Sequence, residues 1–340
     1  MTLLSVIVLN YRQPELLRAC LYSLEAALPE VDGETELVVV DNGSGDGSGA
    51  LVRAEFPGVM LTELAENRGF TGGVNVGLER SSGDFVAFVN NDATLESRAL
   101  GELLRVGETG PDIGSVAAQM RFADRPETIN SAGIGVDRLG IAYDRLLGAP
   151  VSASEREPVE VFGASGGAVL WRRRALDEIG LLDDPYFIYL EDADAAWRAR
   201  MRGWRTLYAP DAVVWHHHSM THRHTSDFKY ELVGRNRVRL LARNACLGQL
   251  VRYAPAMVAY GLAYVIYAAL RDRTLAPVRG RLRGLREWRS ARRSGAAGRR
   301  RIELEPRQGL AAGLRRRRAW GAGTRGSAGP AGEPESRACA

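Results

Sequence analysis

The sequence predicts an α/β fold in which a mostly parallel sheet is flanked by helices. Short apolar runs, typical of strands buried on both faces, alternate with segments of helical periodicity, and polar residues stand where those runs end. This alternation is the βαβ pattern of a parallel sheet with right-handed crossovers. With 340 residues and 45% hydrophobic content, the chain can bury one large core, or one core with an appendage.

The N-terminal elements follow one another at short intervals. The predicted strands cover residues 3–9, 37–40, 59–64 and 85–89. Three helices are predicted: one begins after Pro14, one ends at Phe56, and one covers 74–80. The start of the chain lacks the basic residues and the apolar core of an export signal, so we interpret it as the first strand.

Polar side chains follow three of these strands directly, at Asn10, Asp41, Asn90, Asn91 and Asp92. Because the carboxyl ends of parallel strands open on one crevice, these residues can converge on one ligand. Asp41 can accept a hydrogen bond from a nucleobase imide or a ribose hydroxyl. Asp92, flanked by amides, is suited to Mg²⁺ or Mn²⁺ on a diphosphate. The alternative is that Asn91 or Asp92 only caps a helix near Leu95.

The loop 66–77 combines a cation with amides and a glycine-rich helix start. Arg68 and Asn75 lie in this loop, and such a helix start is typical of a site near phosphate. Glycines before a helix are also common as plain turn residues, which is the alternative. They do not form the G-x-G-x-x-G pattern after the first strand, which disfavours a nicotinamide or flavin enzyme.

Taken in order, four motifs resemble the nucleotide-sugar half of family 2 inverting glycosyltransferases, which have the Rossmann-like GT-A fold. They are Asn10-Tyr11, the run 41–47 (DNGSGDG), Asn67-Arg68-Gly69 with Asn75-Val76-Gly77, and Asn90-Asn91-Asp92. The resemblance is strongest to the rhamnosyltransferase-like branch. It implies that Asp41 contacts the base, that Arg68 lies near the nucleotide, and that Asp92 holds the metal as the last acid of a D-x-D element. Asn10, Asn75, Asn90 and Asn91 are the other expected donor-side residues.

The second half supplies the expected acceptor side. The segment 162–173, with Gly166 in its glycine-rich turn, resembles the acceptor-side segment of the family, and 182–194 resembles the element with the catalytic carboxylate. The resemblance assigns Asp192 as general base, because an acceptor hydroxyl becomes nucleophilic when its proton is removed. Glu191 or Asp194 can hold that base or bind acceptor hydroxyls. Alternatively, these acids only favour the positive end of a helix.

All five histidines lie between 216 and 224. The resemblance implies that His216 joins the active-site metal or diphosphate, whereas His217, His218, His222 and His224 are interpreted as polar loop residues. Two positions depart from the family pattern. Asn90 stands where many relatives have Asp, which leaves one formal charge for the metal, and Ala195 stands where the helix usually has a larger apolar residue.

The expected activity is that of a hexosyltransferase that inverts the anomeric carbon in a single displacement. The resemblance favours a rhamnose-like sugar from a dTDP- or UDP-sugar donor, and a lipid-linked or cell-surface glycan precursor as acceptor. A sugar-phosphate nucleotidyltransferase is the alternative enzyme, but its basic glycine-rich loop is missing after the first strand, where 10–14 reads NYRQP. A nucleic-acid-binding protein is the third possibility.

Charge separates the C-terminal part from the rest. Residues 271–318 hold 17 arginines against four acids, a net charge of +13, and 319–340 are neutral. Since the whole chain has a net charge of +4, the first 270 residues carry −9, which disfavours a specific nucleic-acid partner. The segment 253–270 has eighteen residues without a charge, which favours a helix on a membrane surface over a full span. A helix packed on the soluble domain is the alternative.

The predicted organisation is therefore a catalytic domain over 1–229, with its halves at 1–95 and 96–229, a helical and membrane-associated extension over 230–288, and a mostly disordered basic tail over 289–340. Three scattered cysteines indicate neither a disulfide framework nor a zinc site. The expected location is the cytoplasm, at the inner face of a bacterial membrane.

Overall fold

The computed structural model describes residues 2–217, 226–295 and 302–306, all of which lie in one unit, Met1–Arg307. The strands are β1 (Leu4–Asn10), β2 (Thr35–Asp41), β3 (Met60–Glu63), β4 (Phe85–Asn90), β5 (Ala93–Leu95), β6 (Ile113–Phe122), β7 (Arg125–Ser131), β8 (Ile134–Val136), β9 (Ala142–Asp144), β10 (Val159–Val161), β11 (Ala168–Arg172) and β12 (Arg205–His216). The helices are α1 (Pro14–Ala27), α2 (Ser48–Glu55), α3 (Gly69–Arg80), α4 (Ala99–Gly107), α5 (Arg173–Ile179), α6 (Glu191–Met201), α7 (Asp227–Asn244), α8 (Leu247–Arg271), α9 (Ala276–Arg286) and α10 (Trp288–Ser294).

The N-terminal half of the sheet is parallel, as predicted. Strand β1 pairs in parallel with both β2 and β4, and β2 pairs in parallel with β3. Strands β1 and β4 are buried along nearly their whole length because helices cover both faces of the sheet, which explains why they are apolar runs without alternation. The predicted βαβ order is therefore confirmed.

The rest of the sheet is mixed. Strand β11 lies antiparallel between β4 and β6, whereas β12 runs parallel to β6 and continues to a short antiparallel pairing with β5. The full order is β10-β12-β6-β11-β4-β1-β2-β3. The helix-cap alternative for Asn91 and Asp92 is wrong, because 93–95 form strand β5 and the next helix begins only at Ala99.

Two glycines allow helix α3 to lie directly against strand β1. A Cβ atom at Gly73 would stand 2.2 Å from Leu9 Cδ1, and one at Gly77 would stand 2.4 Å from Ile7 Cγ2. Both distances are shorter than any van der Waals contact, so only glycine permits this approach. The glycine-rich pattern of 66–77 is therefore explained in part by packing.

The C-terminal helices extend beyond the predicted boundaries. Helix α7 packs on α9, α10 and α6, so the segment after 229 continues the catalytic domain. The tail was expected to begin at 289, but helix α10 covers 288–294. Arg243 of α7 donates a hydrogen bond to Ser294 at the end of this helix. Most of the remaining predicted tail lies outside the described residues. The helix predicted around 253–270 is confirmed as α8.

Helix α8 is the one helix in the described part of the chain that is long and apolar enough to cross a membrane, judged by length and composition only. It is also largely uncovered, since Ala268 is its single buried residue. Its exposed apolar side chains recur mostly at four-residue spacing and include Val258, Leu262 and Ile266, which are 56–61% exposed.

Candidate active site

The residues at the carboxyl ends of β1, β2 and β4 meet in one hydrogen-bonded cluster. Asn10 is fully buried, and its Nδ2 donates to Asp41 Oδ1 at 2.9 Å and to Ser44 Oγ at 3.2 Å. Asn91 Nδ2 donates to Asn10 Oδ1 at 2.8 Å, and the hydroxyl of Ser44 donates to Asp41. The structure thus brings together Asn10, Asp41 and Asn91, which were predicted from strand ends alone. Ser44 stood in the quoted motif, but no role was assigned to it.

Asp92 and His216 lie side by side at the edge of this cluster. Asp92 Oδ1 is 3.2 Å from His216 Nε2, and strand pairing of Ala93 with His216 brings the two side chains together. Both are largely buried, with 8% and 14% of their side chains exposed. Burial lowers the pKa of His216, but the carboxylate of Asp92 outweighs it, so that the pKa is raised.

The arrangement around this pair is suited to a divalent ion. His216 Nδ1 lies 3.2 Å from Asn130 Oδ1, and an Nδ1–H that donates to this oxygen leaves the lone pair of Nε2 facing Asp92. Two ligands of one Mg²⁺ are about 3 Å apart, which matches the separation of Asp92 and His216. Asn130 Nδ2 is buried and has no hydrogen-bond partner among the described residues. Asn130 carried no sequence signal that marked it in advance.

The pair does not form a complete metal cage. In the parts of the chain that the structure describes, no three His, Cys, Asp or Glu side chains cluster as a ligand set. Mg²⁺ is commonly bound by one or two protein carboxylates, with water and substrate phosphates completing the shell. Asp92 and His216 therefore fit a metal that arrives with a diphosphate. His217 donates its backbone N–H to Asp92 O, and the other three histidines lie outside the described residues.

Arg68 and Asn75, which were predicted to lie near the nucleotide-sugar, differ in their surroundings. Arg68 is 45% exposed, with Nη2 3.8 Å from Asp184 Oδ2, so its guanidinium can reach a ligand. Asn75 instead connects α3 to the second half of the domain. Its Nδ2 donates to Leu182 O at 2.8 Å and to Asp184 Oδ1 at 2.7 Å, and its Oδ1 accepts from Leu182 N at 3.0 Å. Both ends of this amide are therefore bonded within the protein.

The acceptor-side turn lies against the end of β4. Asn90 donates its backbone N–H to Gly167 O at 3.0 Å, which places Gly166 and Gly167 beside the D-x-D element. Gly166 also lines a small cavity with Phe70, Glu191 and Asp192. The predicted acceptor-side residues Gly166 and Glu191 thus share one cavity with the predicted base.

Asp192 and Glu191 begin helix α6 at this cavity. Burial and the nearby Asp144 carboxylate raise the pKa of Asp192 to about 6, although its Oδ1 accepts from Ala193 N at 2.7 Å. Burial and the charge of Asp192 raise the pKa of Glu191 to about 8. The pKa of Glu191 is thus raised further than that of Asp192, so Glu191 keeps its proton to the higher pH. Glu191 Oε2 is buried without a partner among the described residues.

Asp144 of β9 is a site residue that sequence reasoning missed. Its charge contributes to the raised pKa of both Asp192 and His216. It is partly buried in a short hairpin with β8, and no motif marked it in the sequence. Asp144 is therefore an acid whose charge acts on both the Asp92–His216 pair and the predicted base.

Asp194 does not line this crevice, which corrects the acceptor contact that was predicted for it. The side chain is fully buried, and its oxygens accept from Arg198 Nε at 2.8 Å, Arg243 Nε at 2.9 Å and Asn244 Nδ2 at 2.7 Å. Burial raises the pKa of Asp194, but the two guanidiniums outweigh it and lower the pKa. Asp192 lines the cavity, whereas Asp194, two residues further along α6, points to the opposite side and accepts from Arg243 and Asn244 of α7.

Comparison with known proteins shows the family of the chain. The family model described as "Glycosyltransferase like family 2" matches residues 2–239. N-acetylglucosaminyl-diphospho-decaprenol L-rhamnosyltransferase of Mycobacterium tuberculosis is 29% identical over 237 residues, which are 63% of this chain and 76% of that protein. Poly-beta-1,6-N-acetyl-D-glucosamine synthase of Staphylococcus aureus is 24% identical over 182 residues, 53% of this chain and 42% of that protein.

Among solved structures, GalNAc-T7 with UDP, GalNAc and Mn²⁺ superposes with a TM-score of 0.58 at 15% sequence identity, over 76% of this chain and 51% of that one. This superposition supports the GT-A fold that the motifs implied. The family match covers more than half of the chain and favours sugar transfer over the nucleotidyltransferase and nucleic-acid alternatives. The chain therefore belongs to the family 2 glycosyltransferases and is a glycosyltransferase with the GT-A fold.

Proposed function

We propose that the protein transfers a rhamnose-like sugar from a dTDP- or UDP-sugar to a hydroxyl of a lipid-linked or cell-surface glycan precursor in the bacterial cell envelope. The observation that carries this proposal is the 3.0 Å hydrogen bond from Asn90 N to Gly167 O, because it joins the strand end that precedes Asp92 to the turn whose Gly166 lines one cavity with the half-buried Asp192. A leaving-group site and a base thus share one crevice. The similarity to the mycobacterial rhamnosyltransferase supports the choice of sugar and of acceptor class.

On the donor side, the proposed contacts follow the cluster at the strand ends. Asp41 accepts from the base, Arg68 approaches the diphosphate, and Asp92 with His216 holds Mg²⁺ or Mn²⁺. When bound, the ion offsets the charge that develops on the departing nucleoside diphosphate. The amide of Asn130 steadies His216 and keeps its Nε2 directed at Asp92.

On the acceptor side, Asp192 removes the hydroxyl proton as the new C–O bond forms at the anomeric carbon and the bond to the diphosphate breaks on the opposite face. This displacement inverts the configuration. A carboxylate with a pKa of about 6 is mostly ionised at neutral pH and is a stronger base than an ordinary aspartate. In its protonated form, Glu191 can donate a hydrogen bond to a sugar oxygen of the acceptor.

A thermal-shift screen of nucleoside diphosphates tests the donor side. We expect dTDP or UDP to raise the melting temperature by about 5–10 °C when Mn²⁺ is present, since a ligand at 100 times its Kd stabilises by about 2.7 kcal/mol. The Asp92→Ala variant should lose the part of the shift that needs Mn²⁺. Asp177→Ala, which changes an exposed acid of α5 outside the quoted motifs, is the control and should retain it. No response to any nucleotide would contradict the proposal.

The exposed face of α8 supports a location at the inner face of the membrane. Leu247, Val251, Leu262 and Leu270 are 59–80% exposed, and Leu282 and Leu285 of α9 are exposed among arginines. Apolar side chains that enter the lipid, next to cations that meet anionic headgroups, are typical of helices lying in a membrane surface. The crevice would then be held near a lipid-linked acceptor.

Flotation with lipid vesicles tests this location. We expect the full chain to float with vesicles that contain phosphatidylglycerol, and the Leu262→Asp variant to bind them at least about tenfold more weakly, because a charge on that face opposes burial in lipid. Met60→Asp introduces the same charge at an exposed apolar residue of β3 and serves as the matched control. Equal flotation of both variants, or no flotation of the wild type, would reject the membrane surface.

A further inference from the structure

The segment that leads into the two catalytic-site acids has an unusual backbone. Phe187, Tyr189 and Leu190 have positive φ angles of 63°, 76° and 70°. Residues other than glycine rarely adopt this region, and they remain there only when surrounding contacts hold them. Leu190 directly precedes Glu191 and Asp192, so its backbone sets the direction in which helix α6 begins. Whatever holds this segment also orients the proposed base.

One buried side chain of α7 bonds to the middle of the segment. Asn236 is fully buried, and its Nδ2 donates to the carbonyl oxygens of Tyr186, Ile188 and Tyr189, each at 2.9 Å. These carbonyls surround the residues with positive φ. Asn236 Oδ1 accepts from Arg235 Nη1 at 3.2 Å, which fixes the orientation of the amide.

Ion pairs from the same face of α7 hold both ends of the segment. Arg239 and Arg243 pair with Asp183 before it, and Arg243 pairs with Asp194 after it. These ion pairs fix the positions of the two ends of the segment. Thr71 and Arg235 donate to the carbonyls of Asp184 and Pro185 just before the residues with positive φ. Asn236 is the side-chain donor to the carbonyls of Tyr186, Ile188 and Tyr189.

We propose that Asn236 is a positioning residue that holds the strained segment 186–190 and thereby sets the orientation of Glu191 and Asp192. It acts through the backbone carbonyls and does not itself touch the reacting groups. The consequence for catalysis rests on the proposed function of Asp192, whereas the effect on the segment can be measured without any substrate.

Hydrogen exchange of the full chain tests the positioning role. Asn236→Asp keeps the shape of the side chain but directs a carboxylate oxygen at the same carbonyls. We expect the amides of 186–194 to exchange at least about tenfold faster in this variant, while those of β1 and β4 keep their protection. Asn236→Ser retains one donor and should give a smaller increase, and it remains measurable if Asn236→Asp does not fold.

Leu241→Ala is the control for general destabilisation, because it removes buried apolar contacts from the same helix without removing a donor to the segment. If 186–194 exchanges no faster in the Asn236 variants than in Leu241→Ala at the same loss of melting temperature, the inference is overturned.

Turnover supplies the second readout. With the nucleotide-sugar that stabilises the protein, Asn236→Ser should lower kcat about tenfold and change KM less than about threefold. Absence of any nucleotide response would reject the proposed function and leave the exchange result standing.

Discussion

The Asp192→Asn variant is expected to lose about 10²–10⁴-fold in kcat while the protein stays folded. Asparagine has the same shape, and its side-chain oxygen can still accept from Ala193 N. It cannot take a proton from an acceptor hydroxyl, so the displacement loses its base. The measurement is turnover of the nucleotide-sugar identified by the thermal-shift screen, together with the melting temperature of each variant.

The pH profile provides a second measure of the same base. Because the pKa of Asp192 is raised to about 6, its ionised form is lost as the pH falls through that value. We expect kcat of the wild type to fall about tenfold for each pH unit below this point. Asp177→Asn, which changes an exposed acid of α5, should leave both kcat and the profile unchanged. Turnover of Asp192→Asn at the wild-type rate would remove Asp192 as the base.

The Asp194→Asn variant is expected to lower the free energy of unfolding by about 3–5 kcal/mol, because it removes one partner of a buried ion pair. Its carboxylate lies between Arg198 and Arg243, whose side chains are 4% and 5% exposed. Asparagine would leave the buried Arg198 without its counterion and Arg243 with Asp183 alone. Denaturant unfolding at pH 7 measures the difference.

The sign of the pH dependence follows from the lowered pKa of Asp194. Its contribution to stability is present above the unfolded aspartate value of about 3.9 and is lost as the pH falls through the lower folded value. The difference between wild type and Asp194→Asn should therefore shrink in acid. Arg105→Ala breaks an exposed pair with Glu102 on α4 and should cost less than about 1 kcal/mol. A similarly small loss for Asp194→Asn would contradict the assigned role.

The sequence was sufficient to predict the parallel half of the sheet and the convergence of Asn10, Asp41 and Asn91. Both follow from local rules, because an apolar run of strand length buries itself on both faces and parallel strands share one carboxyl edge. The helix that begins with Glu191 was likewise visible from its periodicity. The pairing of Asp92 with His216 was expected only through the resemblance, since 124 positions separate them and pairing of β5 with β12 brings them together.

Other residues could not be placed from sequence. Asn75 and Asp194 lie within motifs that the resemblance marked, yet their side chains bind Leu182 and Arg243 inside the protein. A motif records which residue types occur, but not which face of a helix turns toward the ligand. Asn130 and Asp144 lie outside the quoted motifs, and they reach the site only through the folding of β7 and β9 around the crevice.

The sequence by itself determined the α/β class, the order of the N-terminal elements, the polar strand ends and the apolar C-terminal helix, because each depends on residues that are neighbours in the chain. Only the tertiary structure decided that Asp194 is buried among arginines, whereas Asp192 lies beside other carboxylates. That difference lowers the pKa of Asp194 and raises the pKa of Asp192, the proposed base, although the two are separated by one residue. The protonation of a carboxyl group depends on the charges and burial around it, and these are set by helices and strands distant in sequence.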